Sequence, residues 1–499
     1  MYCGFDTGWN SNERKKTYAQ TYTGPPSRTA SPQEKTKRLA RAHYRKAGAA
    51  AGAAGTAVDT LPFETSADRR AGSRQGFEMR DCDALAALPR RGDRNRAGAR
   101  LDDLSADPRE AAECTENADP RALVASALCA PAHLARPLVG MVVIPARNEA
   151  ARISACLEAL VPQAIGLDCG ILVVVNFTTD DSAAIAQSLL GDRPRVGFGV
   201  LDLGSAPLQG GVGRARAIGF SVSRRDYAPA SLLSTDADCV VAPSWLEHNL
   251  AGLAEVDIVF GRILPAADEL AQLGPRLHRN AAIENAYMAT AVDVATRLDP
   301  LPHDPHPGHR TAAGASVAFR PAVLDAIGGF PALAANEDRA FARAAEQHDL
   351  RIRYCAQARV HASCRLNGRA AGGMADTLRA RCVEDDPFCD DWLEPAETFV
   401  LRHGLRGKLR RAWPDPTRMA GVLLSYGLPR DAWPPRTPTS FGTFWFSLEA
   451  ALPELAARPL RHSQALRELP RLRASLEQLQ AGATPSALAI SQLAERSVA

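Results

Sequence analysis

Short, wholly apolar runs alternate with amphipathic stretches through the middle of the chain. Met141-Val142-Val143-Ile144 reads as a buried strand that stops at Pro145 and opens into the polar Ala146-Arg147-Asn148-Glu149. Ala150 to Leu160 follows with Ile153, Cys156, Leu157 and Leu160 on one stripe, the period of a helix packed along one face. Gly170 to Val175 is a second apolar run, followed by the polar loop Asn176 to Ser182 and a helix through Ala183, Ile185, Ala186 and Leu189. Apolar strands alternating with amphipathic helices predict a parallel α/β sheet whose ligands bind outside the carboxyl ends of the strands. Each polar run named here sits at such an end.

A third apolar run, Ser231-Leu232-Leu233, leads into Ser234-Thr235-Asp236-Ala237-Asp238-Cys239. On a strand, carboxylates at i and i+2 leave the same edge of the tip. Hard divalent cations take oxygen ligands, and Mg²⁺ is usually held by one or two carboxylates plus substrate phosphates. An Asp-x-Asp at a strand end is therefore a diphosphate-handling signal, against the plain alternative of a solvated acidic turn. Gln209-Gly210-Gly211-Val212-Gly213-Arg214-Ala215-Arg216 offers glycines through which a backbone approaches a phosphate, and arginines for its charge. The plain alternative there is a loop leading into a surface helix. Farther on comes the small-residue run Gly314-Ala315-Ser316-Val317-Ala318-Phe319. Asn336-Glu337-Asp338 opens a helix, where acids are stabilising as first-turn residues in their own right. Leu350 to Cys355 and Ala358 to His361 read as two further strands.

Taken in order, these motifs resemble glycosyltransferase family 2, of the GT-A fold, over residues 138 to 375. The resemblance implies an α/β nucleotide-diphospho-sugar transferase, Rossmann-like, that moves a sugar from a nucleotide-diphosphate donor to a hydroxyl acceptor with Mn²⁺ or Mg²⁺, by an inverting displacement. It assigns Asp338 as general base with Glu337 as neighbour or alternate. It assigns Pro145, Asn148, Glu149, Asn176, Arg214, Arg216 and Asp236 to the donor, and Asp236, Asp238 and His361 to the metal. Gly314, Ala315 and Ser316 fall on the acceptor side. The chemistry requires such groups, because an acceptor hydroxyl is a poor nucleophile until a carboxylate takes its proton, and the departing diphosphate needs its charge neutralised. Two positions depart from the family pattern: Val175-Asn176 stands where Asp-Asp is usual, and Ala217 where Asn is common. Both bear on which base is read.

The loop Leu301 to Arg310 carries His303, His306 and His309 at a spacing of three, which on a helix would suggest zinc. Its three prolines exclude that helix, and the loop reads as acceptor-side with His309 as its polar contact.

Composition divides the chain. Residues 1–135 mix basic clusters (Lys35-Thr36-Lys37-Arg38, Arg45-Lys46) with an alanine-glycine tract and no sustained hydrophobic period, so they are expected to be a disordered extension, whether a solvated tail or a stretch preceding the true start. A nucleic-acid arm is the alternative, opposed by a net charge of only +3 and the lack of interleaved aromatics. Residues 136–375 form the expected glycosyltransferase domain and 376–499 a mostly helical C-terminal region. The latter carries an acidic patch (Glu384 to Asp386, Asp390-Asp391) and a basic run (Arg402 to Arg411), read as solvated faces. A proline-rich linker (Pro429 to Pro438) precedes two helices, Phe441 to Leu455 and Ser463 to Leu479, the second kinked or split at Pro470 and striped with Leu466, Leu469, Leu472, Leu476 and Leu479. Eleven cysteines without a Cys-x-x-Cys pair suit reduced thiols. With no apolar stretch of membrane-spanning length and no signal peptide, a cytoplasmic location is expected, with peripheral membrane contact left open.

Two rival functions are weighed. A nucleotidyltransferase would show a glycine-rich loop with a basic residue directly after the first strand, which Pro145 to Glu149 does not supply. A catalytically silent nucleotide-sugar-binding scaffold would tolerate loss of Asp236, Asp238 or Asp338, and all three are present.

Overall fold

The computed structural model describes residues 137–483 apart from 192–196, 205, 370–371, 429–432 and 434–437. The expected disordered extension and most of the proline-rich linker lie outside the described residues. The described chain opens with β1 (Gly140–Ala146), α1 (Ile153–Gly166), β2 (Cys169–Val175), α2 (Ser182–Gly191), β3 (Phe198–Asp202), α3 (Gly211–Tyr227) and β4 (Leu232–Ser234). It continues through β5 (Cys239–Val241), α4 (Trp245–Leu253), β6 (Ile258–Pro265), α5 (Ala267–Ala271), α6 (Pro275–Leu298), a 3-10 turn at Gly314–Ser316 and β7 (Val317–Phe319). Then come α7 (Ala322–Ile327), α8 (Glu337–Gln347), β8 (Ile352–Ala362), α9 (Met374–Val383), α10 (Ala396–Ala412), α11 (Pro416–Ser425), α12 (Phe441–Ala451) and α13 (His462–Gln480).

The strands make one sheet in the order β3-β2-β1-β4-β7-β6-β8-β5. β1 to β4 are parallel, as the alternation predicts. Beyond them the sheet is mixed, because β7 lies antiparallel between β4 and β6, and β5 antiparallel to β8. β7 is reached through a loop and a 3-10 turn rather than a packed crossover helix, so it enters the sheet at the end where β4 leaves it, with Val317 beside Ser234. That places Gly314 at the carboxyl end of β4. The two strands expected at Leu350 to His361 are one strand, β8, whose pairing with β6 shifts register between Gly261 and Arg262.

Strand alternation supplies both faces of the core. Val142 and Ile144 of β1 join Ile171 and Val173 of β2 and pack with Ile153, Cys156, Leu157 and Leu160 of α1. Met141, Val143, Leu172 and Val174 face the other way, against Phe220 of α3 and the cluster of Phe319, Phe330 and Phe341. Each such side chain, buried fully, contributes roughly 1.5–3 kcal/mol.

The C-terminal helices dock on α6. Leu469 and Leu472 of α13 meet Tyr287, Met288 and Ala291 of α6 and Phe399 of α10. The helix runs unbroken through Pro470, correcting the expected split, and Leu466 turns outward at 55% exposure, so it is not part of the packed stripe. The basic run is likewise not a solvated face. Arg402 pairs with Glu394, Arg406 with Glu346, and Arg410 with Asp299, tying α10 to its neighbours. Among the described residues no helix is long and apolar enough to cross a membrane.

Candidate active site

The carboxyl ends of β1, β2 and β4 open into a cavity of about 530 Å³, within the range of small-molecule sites. Pro145, Glu149, Asn176, Arg216, Asp236, Asp238, Gly314, Ala315, Glu337 and Asp338 all line it. The far wall comes from later chain, including Arg339, Ser363, Arg365, Arg381, Asp390 and Asp391.

Asp236 and Asp238 do not leave a strand edge, since β4 ends at Ser234. They sit in the tight turn before β5, closed by the Cys239 N–H donating to the Asp236 carbonyl at 3.1 Å. The turn still gathers them: ligand atoms of Asp236, Asp238 and Cys239 lie within 4.8 Å of one another. Burial, with the Asp236 charge beside it, pushes the Asp238 carboxyl up to about 6. Burial pushes the Cys239 thiol well up too. Two close carboxylates open to a cavity fit a hard divalent cation.

Arg216 lies beneath them, its side chain 2% exposed. Its guanidinium donates to Ser234 Oγ at 3.2 Å and pairs with both Asp236 and Glu337. Ser234 in turn donates to the Val143 carbonyl at 2.8 Å, fixing the cluster to the sheet. Arg216 lines the cavity with its charge committed to two acids. Glu337 shares that pairing. Burial raises its pKa while Arg216 opposes the rise, and an ion-paired buried carboxylate is a poor spare base.

Asp338 is held differently. Asn336 starts α8 in the left-handed region (φ 59°), and Asp338 then turns into the cavity, where Oδ2 accepts from the Gly314 N–H at 2.9 Å and Oδ1 from the Arg339 N–H at 2.8 Å. Gly314 and Ala315 line the cavity, not as a strand but as the 3-10 turn before β7. Ser316 is buried away from it, accepting from Trp245 Nε1 at 2.7 Å, which corrects its acceptor-side placement.

The residues after β1 divide. Glu149 is buried, and both its oxygens accept from Arg365 at 2.5 and 2.6 Å. Asn148, in the left-handed region at φ 53°, accepts from the Thr179 N–H at 2.8 Å and is absent from the cavity lining, so it pins the loop after β2 instead of meeting a donor. Asn176 is buried and lines the cavity, and its Oδ1 has no hydrogen-bond partner among the described residues. Arg214 is not at the cavity. Of the glycines of its segment, Gly211 lines the cavity and Gly213 serves packing: a Cβ at Gly213 would collide with backbone atoms of Pro331 and Leu333, and its N–H donates to the Leu333 carbonyl at 3.0 Å.

Neither expected histidine reaches the cavity. His361 is exposed on β8, paired across to Val240, while Ala358, Val360 and Ala362 face inward. His309 is buried edge-on to Tyr354 with ring centroids 5.5 Å apart, where desolvation, with the charge of Arg262, pushes it down to about 3. It is a packed core group, not an acceptor contact.

Arg365 is what the metal-ligand reading overlooked. Beyond its fork on Glu149 it reaches Asp238 Oδ2 at 2.9 Å. The signal was available: Arg365 follows the carboxyl end of β8, by the same rule that marked the other loops. Two more sets surround the far wall. Arg339 pairs with Asp390 and Asp391, so the acidic patch is not simply solvated. Glu284 accepts from Arg381 at 2.7 Å and the Asp390 N–H at 2.9 Å and pairs with His462 at 3.1 Å, binding α6, α9 and the start of α13 together. Cys389 lies beside this set, which has ligand-type atoms, but the carboxylate is already committed to Arg381.

A comparison with protein families adds to this geometry. Residues 141–306 match glycosyl transferase family 2. The matched segment runs from the second residue of β1 through β6 and includes both carboxylates of the Asp-x-Asp turn. No curated protein matches the chain. Among solved structures it is similar to a mannosyltransferase, PcManGT, from Pyrobaculum calidifontis in complex with GDP-Man and Mn²⁺ (15% identity, 78% of this chain and 87% of that one, TM-score 0.35). It is similar to S. aureus TarS 1–349 in complex with UDP-GlcNAc (15% identity, 69% and 93%, TM-score 0.36). It is also similar to glucosyl-3-phosphoglycerate synthase from Mycobacterium tuberculosis in complex with phosphoglyceric acid (16% identity, 49% and 80%, TM-score 0.31). At such identities these say nothing of the substrates here. The described residues adopt the anticipated architecture of an α/β domain followed by a helical C-terminal region.

Proposed function

We propose that this chain transfers a glycosyl group from a nucleoside-diphosphate sugar to a hydroxyl acceptor, in a single inverting displacement. The observation that carries the reading is that Asp338 and the Asp236-Asp238 pair, about a hundred residues apart in sequence, line one cavity at the strand ends of a family 2 segment.

Asp338 is the general base. Its two backbone hydrogen bonds fix the carboxylate in rotation, and each oxygen keeps a lone pair for an acceptor O–H. As the acceptor oxygen bonds to the anomeric carbon, its proton passes to Asp338, while the bond to the diphosphate breaks and the leaving group takes that electron pair. Asp236 and Asp238 would hold a divalent cation, which supplies charge neutralisation to the departing diphosphate. Asn176, with its unpartnered buried Oδ1, contributes a hydrogen-bond acceptor at the base end of the donor.

The test is donor hydrolysis by the full chain against UDP-, GDP-, ADP- and TDP-sugars, with Mn²⁺ or Mg²⁺ and with EDTA. Nucleoside diphosphate release that needs metal and vanishes in Asp238→Ala is the expected result. Donor binding without turnover would favour the catalytically silent scaffold, and neither binding nor turnover with any donor would overturn the reading.

A further inference from the structure

The same site holds an arrangement whose consequence is thermodynamic coupling. Each carboxylate of the Asp-x-Asp turn already carries an arginine: Arg216 on Asp236, and Arg365 on Asp238 Oδ2 at 2.9 Å. The two arginines differ in freedom. Arg216 is buried at 2% exposure between two acids and Ser234, and has nowhere to go. Arg365 is 15% exposed, lines the cavity, and divides its guanidinium between Glu149 and Asp238. Its fork on Glu149 uses Nη1 at 2.6 Å and Nη2 at 2.5 Å, and the contact with Asp238 is made by the same Nη2. The hold on Asp238 is thus the longer, shared one.

We infer that Arg365 is a positioning residue that makes cation binding conditional on the donor's diphosphate. It rests on the proposed function, since it concerns the same metal-diphosphate site. Without nucleotide, the Arg365 charge occupies Asp238 and opposes a second positive charge at the turn. A diphosphate brings negative oxygens into the cavity and offers the partly exposed guanidinium a pair of phosphate oxygens of the kind arginine binds bidentately. Asp238 Oδ2 is then released to the cation, while Glu149 keeps Arg365 within reach. Cation and nucleoside diphosphate therefore bind with positive coupling, which by linkage is reciprocal.

The experiment is Mn²⁺ titration of the full chain followed by the free-ion electron paramagnetic resonance signal, with UDP or GDP absent or present, using a nucleotide-only control to subtract Mn²⁺ held by nucleotide alone. Wild type is expected to gain about tenfold or more in Mn²⁺ affinity with nucleotide. Arg365→Gln is expected to bind Mn²⁺ more tightly than wild type without nucleotide and to show a smaller gain, the remainder being the cation's own contact with the diphosphate. Because that change leaves Glu149 buried without its cation, Arg365→Lys is run beside it; a lysine keeps one charge on Glu149 but cannot fork, and an intermediate coupling is expected. Equal coupling in wild type and in whichever variant is folded by circular dichroism overturns the inference and leaves the proposed function standing. Failure to take up Mn²⁺ under any condition overturns both.

Discussion

The guanidinium of Arg216 fills the space that a side chain at Gly314 would occupy. A Cβ on residue 314 would collide with the guanidinium carbon and both terminal nitrogens, so the 3-10 turn and the buried ion pairs are mutually dependent. The N–H that holds Asp338 belongs to the same glycine. Gly314→Ala must therefore displace Arg216 from Asp236 and Glu337, or move the turn off Asp338. Overpacking of this kind costs about 1–3 kcal/mol, and a loss of that size in urea denaturation is expected together with a fall in transfer rate. Unchanged stability and turnover would show that the turn yields without cost.

Asp338→Asn separates positioning from proton transfer. The amide oxygen of asparagine can still accept from the Gly314 N–H, so folding and donor binding are expected to survive. If Asp338 takes the acceptor's proton, kcat falls by about 10²–10⁴-fold with little change in donor affinity. Calorimetry for nucleotide and a steady-state assay for transfer check the two halves.

His309 predicts an acid sensitivity that has nothing to do with catalysis. It is neutral in the fold because burial pushes it down to about 3, while in the unfolded chain it protonates near the ordinary 6.5. Below that ordinary value the unfolded state binds the extra proton, so stability falls as pH drops from 6.5 towards 3 and is undiminished by this group above 6.5. His403, also buried and pushed well down, adds in the same direction. Between about pH 7 and about pH 5, His309 alone accounts for roughly 2 kcal/mol of lost stability. His309→Phe, similar in shape and without a titrating nitrogen, is expected to lose less over that interval in paired urea titrations. An identical loss would place the sensitivity elsewhere.

His361→Ala is expected to leave Mn²⁺ affinity and donor turnover within about twofold of wild type, because surface substitutions remote from a site seldom matter by more than ~0.5 kcal/mol. A loss of metal affinity in that variant would restore the histidine to the site and contradict its outward orientation on β8.

The sequence by itself determined the elements and the chemistry at their ends. Period-two and 3.6-residue patterns are local, so β1, β2, α1 and the acids at Asp236, Asp238, Glu337 and Asp338 were all legible without coordinates. The orientation of His361 was legible too, in the alternation of Ala358, Val360 and Ala362 with Arg359 and His361. Tertiary structure alone decided which charges belong together. Arg216 meets Glu337 across 121 residues and Arg365 meets Glu149 across 216. No spacing rule reaches that far, because a buried charge is matched to its counter-charge by the packing of whole elements and not by the chain beside it.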